Sequence, residues 1–280
     1  MTINNSKFAF FGSSKFSVFC LEELKNQGLL PAVIVTTEDK PQGRKLELVK
    51  SEIKIWAETN NIPYLTNDKI EDLNCELYLV ASYGKIISKK VLETPQHGVL
   101  NIHPSLLPKY RGPSPIQTQI LKDEKEVGVT LMLLDEQVDH GPIVTQAKIK
   151  IINWPAKTEE LKKTLAQAGA RLFSENLKNW LAGKMKPTEQ DHNQATFTKK
   201  VEKIDGLIDL INGNPYQNFL KIQAYSLWPQ AYFYLENDPT KTRVIIKEAE
   251  FIDGNLTLKR VLPAGKKEMS YEDFKRGLKK

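Results

Sequence analysis

One stretch of the sequence decides the fold: Gly98-Val-Leu-Asn-Ile-His-Pro-Ser-Leu-Leu-Pro-Lys-Tyr-Arg-Gly112. Its first six residues form a nearly continuous apolar run, which is typical of a strand buried on both faces of a parallel sheet. Asn101 and His103 interrupt the run two residues apart, and residues i and i+2 of a strand point to the same face. The predicted strand therefore ends with an amide and an imidazole side by side.

Apolar runs of the same kind recur before this stretch and alternate with segments of helical periodicity. The three runs are Lys7–Phe11, Pro31–Thr36 and Glu76–Ala81. Strands that alternate with helices predict an α/β fold with a doubly wound, mostly parallel sheet. In open sheets of this class the ligand site lies beyond the carboxyl ends of the strands, which is where His103 falls.

The second half of the chain predicts a long helix followed by a smaller, β-rich domain. Helical periodicity extends over residues 158–182, and residues 183–196 are polar with little periodicity. Strand-like segments follow at residues 231–235, 242–252 and 255–261, which favours a small barrel or partial barrel. We therefore predict an N-terminal, site-bearing domain at 1–182, a linker at 183–196 and a C-terminal domain at 197–280.

The composition excludes several classes of protein. Of the 280 residues, 40% are hydrophobic and 26% are charged, as in globular proteins with a sizeable core. The two cysteines, Cys20 and Cys75, are isolated, which excludes a disulfide framework or a cysteine-based zinc site. No apolar run approaches the roughly 20 residues that span a bilayer, and the N-terminus lacks a signal-peptide core. We expect a cytoplasmic protein without a membrane partner.

The net charge of +6 is concentrated toward the C-terminus. Residues 196–280 contain 15 Lys and Arg against 11 Asp and Glu. Such a basic surplus suits a polyanion such as RNA, and it supports ordinary solubility about equally well. The four histidines show no metal-ligand spacing, so we expect no metal.

Three polar side chains of different kinds could together support acyl transfer to an amine. Besides Asn101 and His103, the segment Val138-Asp139-His140-Gly141-Pro142 supplies a carboxylate. An amide N–H can stabilise the oxygen of a tetrahedral intermediate, and an imidazole with a carboxylate can move the protons. A structural role explains the Asn-x-His pair alone equally well, and an Asp before Gly-Pro is more often a turn residue.

Taken together, these motifs resemble the folate-dependent formyltransferase family. The resemblance rests on Asn101-Ile-His103-Pro-Ser105-Leu-Leu-Pro108, on Arg111-Gly112 and on Val138-Asp139-x-Gly-Pro142. It implies a doubly wound N-terminal domain that uses 10-formyltetrahydrofolate as donor. It implies that Asn101 and His103 hold the formyl oxygen, and that Asp139 orients the histidine or relays protons. Folate contacts are implied for six residues: Ser105, Leu106, Leu107, Pro108, Tyr83 and Gly84.

Other segments resemble the members of this family that act on methionyl-tRNA. They are Phe11-Gly12-Ser13-Ser14, Asp39-Lys-Pro-Gln-Gly-Arg-Lys45 and Pro263-Ala-Gly-Lys-Lys-x-Met-Ser270. They imply an OB-type C-terminal domain, and tRNA contacts by Arg44, Lys45, Lys266 and Lys267. The chain departs from the family in three places. After the Asp39–Lys45 segment the family's later prolines are missing, and Glu47 and Glu52 are present instead. Ser13-Ser14 stands where the family has Thr-Pro, and a tight turn between Phe251 and Leu258 replaces further barrel strands, so we expect an abridged domain.

The resemblance implies a monomeric enzyme that transfers the formyl group of 10-formyltetrahydrofolate to initiator methionyl-tRNA. Two alternatives stay open: formyl transfer to a small amine, such as an amino sugar nucleotide or glycinamide ribonucleotide, and a non-catalytic RNA- or folate-binding protein. The basic segments Asp39–Lys45 and Pro263–Ser270 count against a small amine as acceptor, because a small substrate needs neither segment. Asn101, His103 and Asp139 count against the second, since a binding module has no need for all three.

Overall fold

The computed structural model describes residues 8–42, 47–66, 70, 73–235 and 242–278. The first elements are β1 (Phe8–Phe11), α1 (Lys15–Asn26), β2 (Val33–Thr36), β3 (Lys40–Gln42), β4 (Glu47–Val49), α2 (Glu52–Thr59), β5 (Tyr64–Thr66), β6 (Leu77–Val80), α3 (Lys89–Leu92) and β7 (Val99–His103). The middle of the chain forms α4 (Pro115–Leu121), β8 (Val127–Leu133), β9 (Ile143–Ile149) and α5 (Thr158–Leu181). The last elements are α6 (Pro215–Ala224), β10 (Tyr232–Tyr234), β11 (Arg243–Ile252), β12 (Asn255–Pro263), β13 (Met269–Ser270) and α7 (Tyr271–Leu278).

The larger sheet has seven strands in the order β5-β2-β1-β6-β7-β8-β9. The first five strands in this order, β5, β2, β1, β6 and β7, pair in parallel. The pairings of β7 with β8 and of β8 with β9 are antiparallel. The mostly parallel α/β fold predicted from the sequence is confirmed. β1 and β6 are apolar and buried at every position, as expected for strands covered on both faces. Phe8 packs against Phe173 of α5 on one face, and Phe11 packs against Tyr78 and Tyr83 on the other.

The carboxyl ends of β1, β6 and β7 lie at one edge of this sheet. Phe11 is the register partner of Val80, and Val80 is the partner of Asn101. A backbone hydrogen bond joins the loops that follow β1 and β6: the amide of Ser13 donates to the carbonyl of Ser82 at 3.1 Å. These loops therefore emerge at the same edge as the end of β7.

Between the two polar residues of β7, Ile102 points to the opposite face and packs against α5. Ile102 is 1% exposed, and a Cβ placed on Gly169 would lie 2.2 Å from its Cγ2 atom. Gly169 therefore allows α5 to approach the strand more closely than any other residue would. This packing fixes which face of β7 carries Asn101 and His103, since a slip of one residue would exchange the faces.

The chain forms two compact units, each built from separate stretches. The first comprises Met1–Gly112, Glu126–Lys150 and Lys162–Phe197, and the second comprises Pro113–Lys125, Ile151–Leu161 and Thr198–Lys280. The domain division at 1–182, 183–196 and 197–280 stays a prediction. Within the first unit, Thr188 and Ile143 exchange two backbone hydrogen bonds of 2.8 Å, so the polar stretch that was predicted as a linker packs beside the start of β9.

The second unit contains a four-stranded antiparallel sheet in the order β10-β11-β12-β13. The turn Asp253-Gly254 joins β11 to β12 with φ angles of 49° and 79°, and two positive φ values are what a type I′ hairpin turn requires. Ile222 of α6, Val244 of β11 and Phe274 of α7 lie in one apolar core. This small sheet agrees with the abridged barrel-like domain that the sequence led us to expect.

Five of these elements were missed by the sequence analysis: β3, β4, β5, β13 and α7. The four strands have only two or three residues each, too few for an alternation to be recognised. α7 buries only Phe274, so its apolar face gives a weak signal in a charged segment. No helix within the described ranges is long and apolar enough to cross a membrane.

Candidate active site

β7 brings Asn101 and His103 to the carboxyl edge of the larger sheet. Asn101 is 8% exposed and lies between its register partners Val80 of β6 and Met132 of β8. Its side-chain amide forms no hydrogen bond to any residue that the structure describes. Nearly buried amides usually have a partner, so this one is available to a ligand at the sheet edge.

His103 has a hydrogen-bond acceptor beside each ring nitrogen. Its Nε2 atom lies 3.0 Å from the backbone carbonyl of Tyr110, and its Nδ1 atom lies 3.5 Å from Oδ1 of Asp139. Only a ring protonated at both nitrogens can donate to both acceptors at once. The ring is 4% exposed. The two acceptors therefore fix the orientation of the ring, on the same face of β7 as the Asn101 amide.

Asp139 lies in the turn between β8 and β9, and its backbone is left-handed with φ of 49°. The backbone amide of Gly112 donates to its Oδ2 atom at 2.7 Å. Burial by itself raises the pKa of Asp139. Attraction to the His103 ring and hydrogen bonds from His103 and Gly112 outweigh burial and hold the pKa below its ordinary value. The carboxylate is thus kept charged beside His103.

A buried arginine and glutamine lie behind this turn. The Arg111 guanidinium donates to Oε1 of Gln190 from Nε at 3.2 Å and from Nη2 at 2.6 Å. Gln190 donates from Nε2 to the carbonyls of Asp139 and Gly141, at 3.0 and 2.7 Å. Burial lowers the pKa of Arg111, and attraction to Asp139 and Asp135 opposes the shift. The two side chains tie the Asp139 turn to the segment that follows β7.

Two histidines extend this network. The rings of His140 and His192 stack with their centroids 4.1 Å apart and their planes 5° from parallel. Nδ1 of His140 lies 2.6 Å from Oδ2 of Asp135. Nη2 of Arg111 donates to Nδ1 of His192 at 2.9 Å. Since that nitrogen accepts, a neutral His192 carries its proton on Nε2.

The turn after β6 holds two of the residues with implied folate contacts, Tyr83 and Gly84. Ser82 and Gly84 both have positive φ, 55° and 75°. The hydroxyl of Ser13 donates to the carbonyl of Tyr83 at 2.6 Å. The Tyr83 ring is buried edge-on against Phe11, and burial raises the pKa of its hydroxyl. A ligand at this turn would therefore meet backbone groups rather than the tyrosine side chain.

The other four residues, Ser105, Leu106, Leu107 and Pro108, follow directly after β7. The Ser105 hydroxyl donates to the carbonyl of Lys109 at 2.7 Å. The backbone carbonyl of Ser105 accepts from the Thr130 hydroxyl at 2.6 Å. The Leu107 amide donates to the same Thr130 oxygen at 3.1 Å. This segment is a rigid, hydrogen-bonded support, and its half-buried Leu106 and Pro108 offer the apolar surface that a folate ring system would contact.

The residues with implied tRNA contacts divide between described and undescribed parts of the chain. Lys266 and Lys267 are exposed in the turn between β12 and β13. Arg44 and Lys45 lie outside the described residues. Across the part of the chain that the structure describes, no group of three His, Cys, Asp or Glu side chains could hold a metal ion.

Sequence reasoning missed Gln190, His192 and Thr196 as neighbours of the site. They fall in a polar stretch without periodicity, which was interpreted as a linker. One signal was present: Arg111 belongs to the motif that follows β7, and a buried guanidinium needs acceptors from elsewhere in the chain.

The fold and the site define an α/β group-transfer enzyme, in which an unpaired amide, an imidazole and a charged carboxylate meet at the carboxyl edge of a mostly parallel sheet. A family model described as "Formyl transferase" matches residues 6–177. The chain belongs to the formyl transferase family.

Relatives extend this match over the whole chain. The methionyl-tRNA formyltransferase of Thermodesulfovibrio yellowstonii is 35% identical over 98% of this chain and 97% of its own length. The methionyl-tRNA formyltransferase of Thermotoga maritima is 32% identical over 97% of this chain and 95% of its own length. The first alignment spans 305 positions, more than the 280 residues present here, so that relative has residues that this chain lacks.

Solved structures show the same fold at lower identity. An N-formyltransferase from Helicobacter canadensis, in complex with folinic acid and dTDP-3-aminofucose, has a TM-score of 0.65 at 22% identity and covers 89% of this chain and 88% of its own. A methionyl-tRNA formyltransferase from Clostridium thermocellum has a TM-score of 0.61 at 16% identity, covering 92% and 98%. At these sequence identities, the solved structures establish the fold alone.

Proposed function

We propose that this chain transfers the formyl group of 10-formyltetrahydrofolate to the amino group of initiator methionyl-tRNA, giving formylmethionyl-tRNA and tetrahydrofolate. The observation that carries the chemistry is the Asn101 amide, which lacks a described protein partner on the strand face that also carries His103. The relatives support the acceptor, since those named methionyl-tRNA formyltransferases match both compact units. We propose further that the enzyme acts in the cytoplasm as a monomer.

The reaction forms one C–N bond and breaks another. The amino nitrogen of the methionyl group attacks the formyl carbon, and the formyl oxygen becomes an oxyanion. The Asn101 amide donates to that oxygen, and the His103 ring adds electrostatic stabilisation when it is protonated. The bond from the formyl carbon to N10 of the folate then breaks. The amine loses a proton, and N10 gains one, so no net charge or atom is lost.

Asp139 supports this chemistry through its charge and position. Its carboxylate lies 3.5 Å from Nδ1 of His103, so it fixes the orientation of the ring. The same carboxylate can take a proton from the attacking amine and return it toward N10. A pKa held below its ordinary value keeps Asp139 in the basic form needed for the first of these steps.

Two structural features fit the folate donor. The left-handed turn at Ser82 and Gly84 directs backbone groups at the carboxyl edge, beside β7. The apolar surface of Leu106 and Pro108 flanks the same edge. We propose that Tyr83 and Gly84 contact the pterin through their backbone, and that residues 105–108 support the remainder of the ring system.

The tRNA contacts are proposed for the basic turns. Lys266 and Lys267 are exposed where a phosphate backbone could reach them, and Arg44 and Lys45 belong to the basic sequence segment Asp39–Lys45. Cationic side chains of this kind position a nucleic acid without reading its bases.

A transfer assay tests the proposal. 10-Formyltetrahydrofolate labelled in the formyl carbon is incubated with the enzyme and charged initiator methionyl-tRNA, and formylmethionine is recovered after the ester is hydrolysed. We expect labelled formylmethionine, and a loss of roughly 100-fold or more in rate for Asn101→Ala. Asn176→Ala on α5 is the matched control, because that amide bonds only to the carbonyl of Leu172. An Asn101→Ala variant with a near-normal rate would remove Asn101 from the mechanism.

A further inference from the structure

The segment Thr188–Phe197, here called the strap, contacts the segments on both sides of the His103–Asp139 pair. At its start, Thr188 pairs with Ile143 through two backbone hydrogen bonds. Near its end, the carbonyl of Thr196 accepts from the amide of Arg111 at 2.8 Å. The strap is thus fixed to the first unit at both ends.

One end of the strap holds the carbonyl that orients His103. The hydroxyl of Thr196 accepts from the backbone amide of Tyr110 at 2.8 Å. The carbonyl of that same Tyr110 lies 3.0 Å from Nε2 of His103. Tyr110 has a positive φ of 63°, a conformation that needs support from its surroundings. The strap provides that support.

Gln190 holds the other side of the pair, the Asp139 turn. Its Nε2 group donates to the carbonyls of Asp139 and Gly141, the residues on either side of His140. Asp139 is also left-handed, and the direction of its carboxylate depends on that backbone. A Cβ on Gly141 would lie 2.1 Å from the carbonyl of Leu133, so the turn has little room to move inward.

The chemistry of the Gln190 site specifies an amide. The side chain is 5% exposed, donates through its nitrogen to two carbonyls and accepts through its oxygen from Arg111. A glutamate could accept from Arg111 but has no N–H for the carbonyls, and a methionine of the same length could do neither.

We propose that Gln190 is a positioning residue for formyl transfer: it acts through Asp139 by holding the turn that aims the carboxylate at His103. This rests on the proposed function of the site, but the geometric part can be tested separately. Gln190 itself touches neither reactant in this account, and its effect passes entirely through the carboxylate.

Gln190→Glu is the informative substitution, because it preserves the length and the acceptor for Arg111 while removing both donors. We expect turnover to fall by about 10- to 100-fold, as expected when a reacting group is displaced by about 1 Å, with little change in the KM for folate. The matched control is Gln194→Glu, the same chemical change on an exposed side chain that bonds only to Asp191. If the Gln190→Glu variant does not fold, the Gln190→Met variant is used in its place.

A double-mutant cycle separates positioning from general stability. If Gln190 acts through Asp139, Gln190→Glu should change turnover less than about threefold when Asp139→Asn is already present. An equal loss in both backgrounds, or no loss in either, would overturn the proposal.

The ring of His103 gives a readout that does not depend on activity. In protein labelled with ¹⁵N-histidine, the His103 signals are assigned by their loss in His103→Asn. We expect Gln190→Glu to shift them and Gln194→Glu to leave them in place. Unchanged His103 signals in Gln190→Glu would overturn the positioning claim. If the wild-type enzyme fails to formylate methionyl-tRNA while Gln190→Glu still shifts the His103 signals, only the proposed acceptor is overturned.

Discussion

The Oδ1 atom of Asp139 lies 3.5 Å from Nδ1 of His103, and both side chains are largely buried. A charged carboxylate and a ring with acceptors at both nitrogens form an ion pair when the ring is protonated. The His103 ring of this pair lies at the carboxyl edge of the sheet, on the strand face that also carries the Asn101 amide.

Asp139→Asn should reduce formyl transfer by about 100- to 10,000-fold while the protein still folds, because the substitution preserves the shape and removes the charge that holds the ring. Single-turnover rates measure the loss, and the melting temperature checks folding. Asp135→Asn is the control, since that carboxylate faces His140 rather than His103. Comparable losses in both variants would show that the effect is not specific to the His103 partner.

Asp139 should also make stability depend on pH. Its pKa in the folded protein is lower than the ordinary value of about 3.9 in an unfolded chain. Such a group contributes stability above the unfolded value, and the contribution is lost as the pH falls through the folded pKa. Urea unfolding should show Asp139→Asn to be more destabilising at about pH 7 than at about pH 3. A difference from wild type that does not change with pH contradicts this expectation.

Gly169→Ala should destabilise the first unit by about 1–3 kcal/mol, because the added methyl group would overlap Ile102 in a close-packed interface. Ile102 lies between Asn101 and His103, so the transfer rate per folded molecule should fall as well. Denaturant unfolding and active-site titration measure the two effects. Gly277→Ala in α7 is the control, since nothing lies within 4 Å of the new methyl group, and it should be neutral or slightly stabilising.

Lys266→Ala should weaken tRNA binding and reduce the slope of log K against log salt by about one, the result of losing one phosphate contact. Binding is measured by filter retention or fluorescence across a salt series. Lys199→Ala removes the same charge from another exposed position of the second unit. If both variants weaken binding equally, the overall field of the unit is responsible, and a direct contact by Lys266 is ruled out.

Much of the fold could be predicted from the sequence because its strands are continuously apolar and its helices periodic. The predicted runs Lys7–Phe11, Glu76–Ala81 and Gly98–His103 contain the neighbouring parallel strands β1, β6 and β7. The motif residues Asn101 and His103 lie at the carboxyl edge for the same reason. The pairing of Asp139 with His103 could be expected only from the family resemblance, because the two residues are far apart in sequence and no local pattern relates them.

The strap shows where pattern-based reasoning fails. Residues 188–197 are polar, so no periodicity indicates burial, yet Gln190 is buried and Thr196 holds the segment after β7. Their structure comes from hydrogen bonds to backbone carbonyls and amides, which have no residue-type signature in sequence. His140 and His192 stack for a similarly non-local reason, because Arg111 and Asp135 position the two rings.

The central claim is the identity of the acceptor, and a competition measures it most directly. Charged initiator methionyl-tRNA and a panel of small amines, including a dTDP-linked amino sugar and glycinamide ribonucleotide, compete for labelled 10-formyltetrahydrofolate in one reaction. We predict that nearly all of the label is recovered as formylmethionine and that the ratio of kcat/KM values favours the tRNA by orders of magnitude. Label recovered chiefly on a small amine would contradict the proposed function.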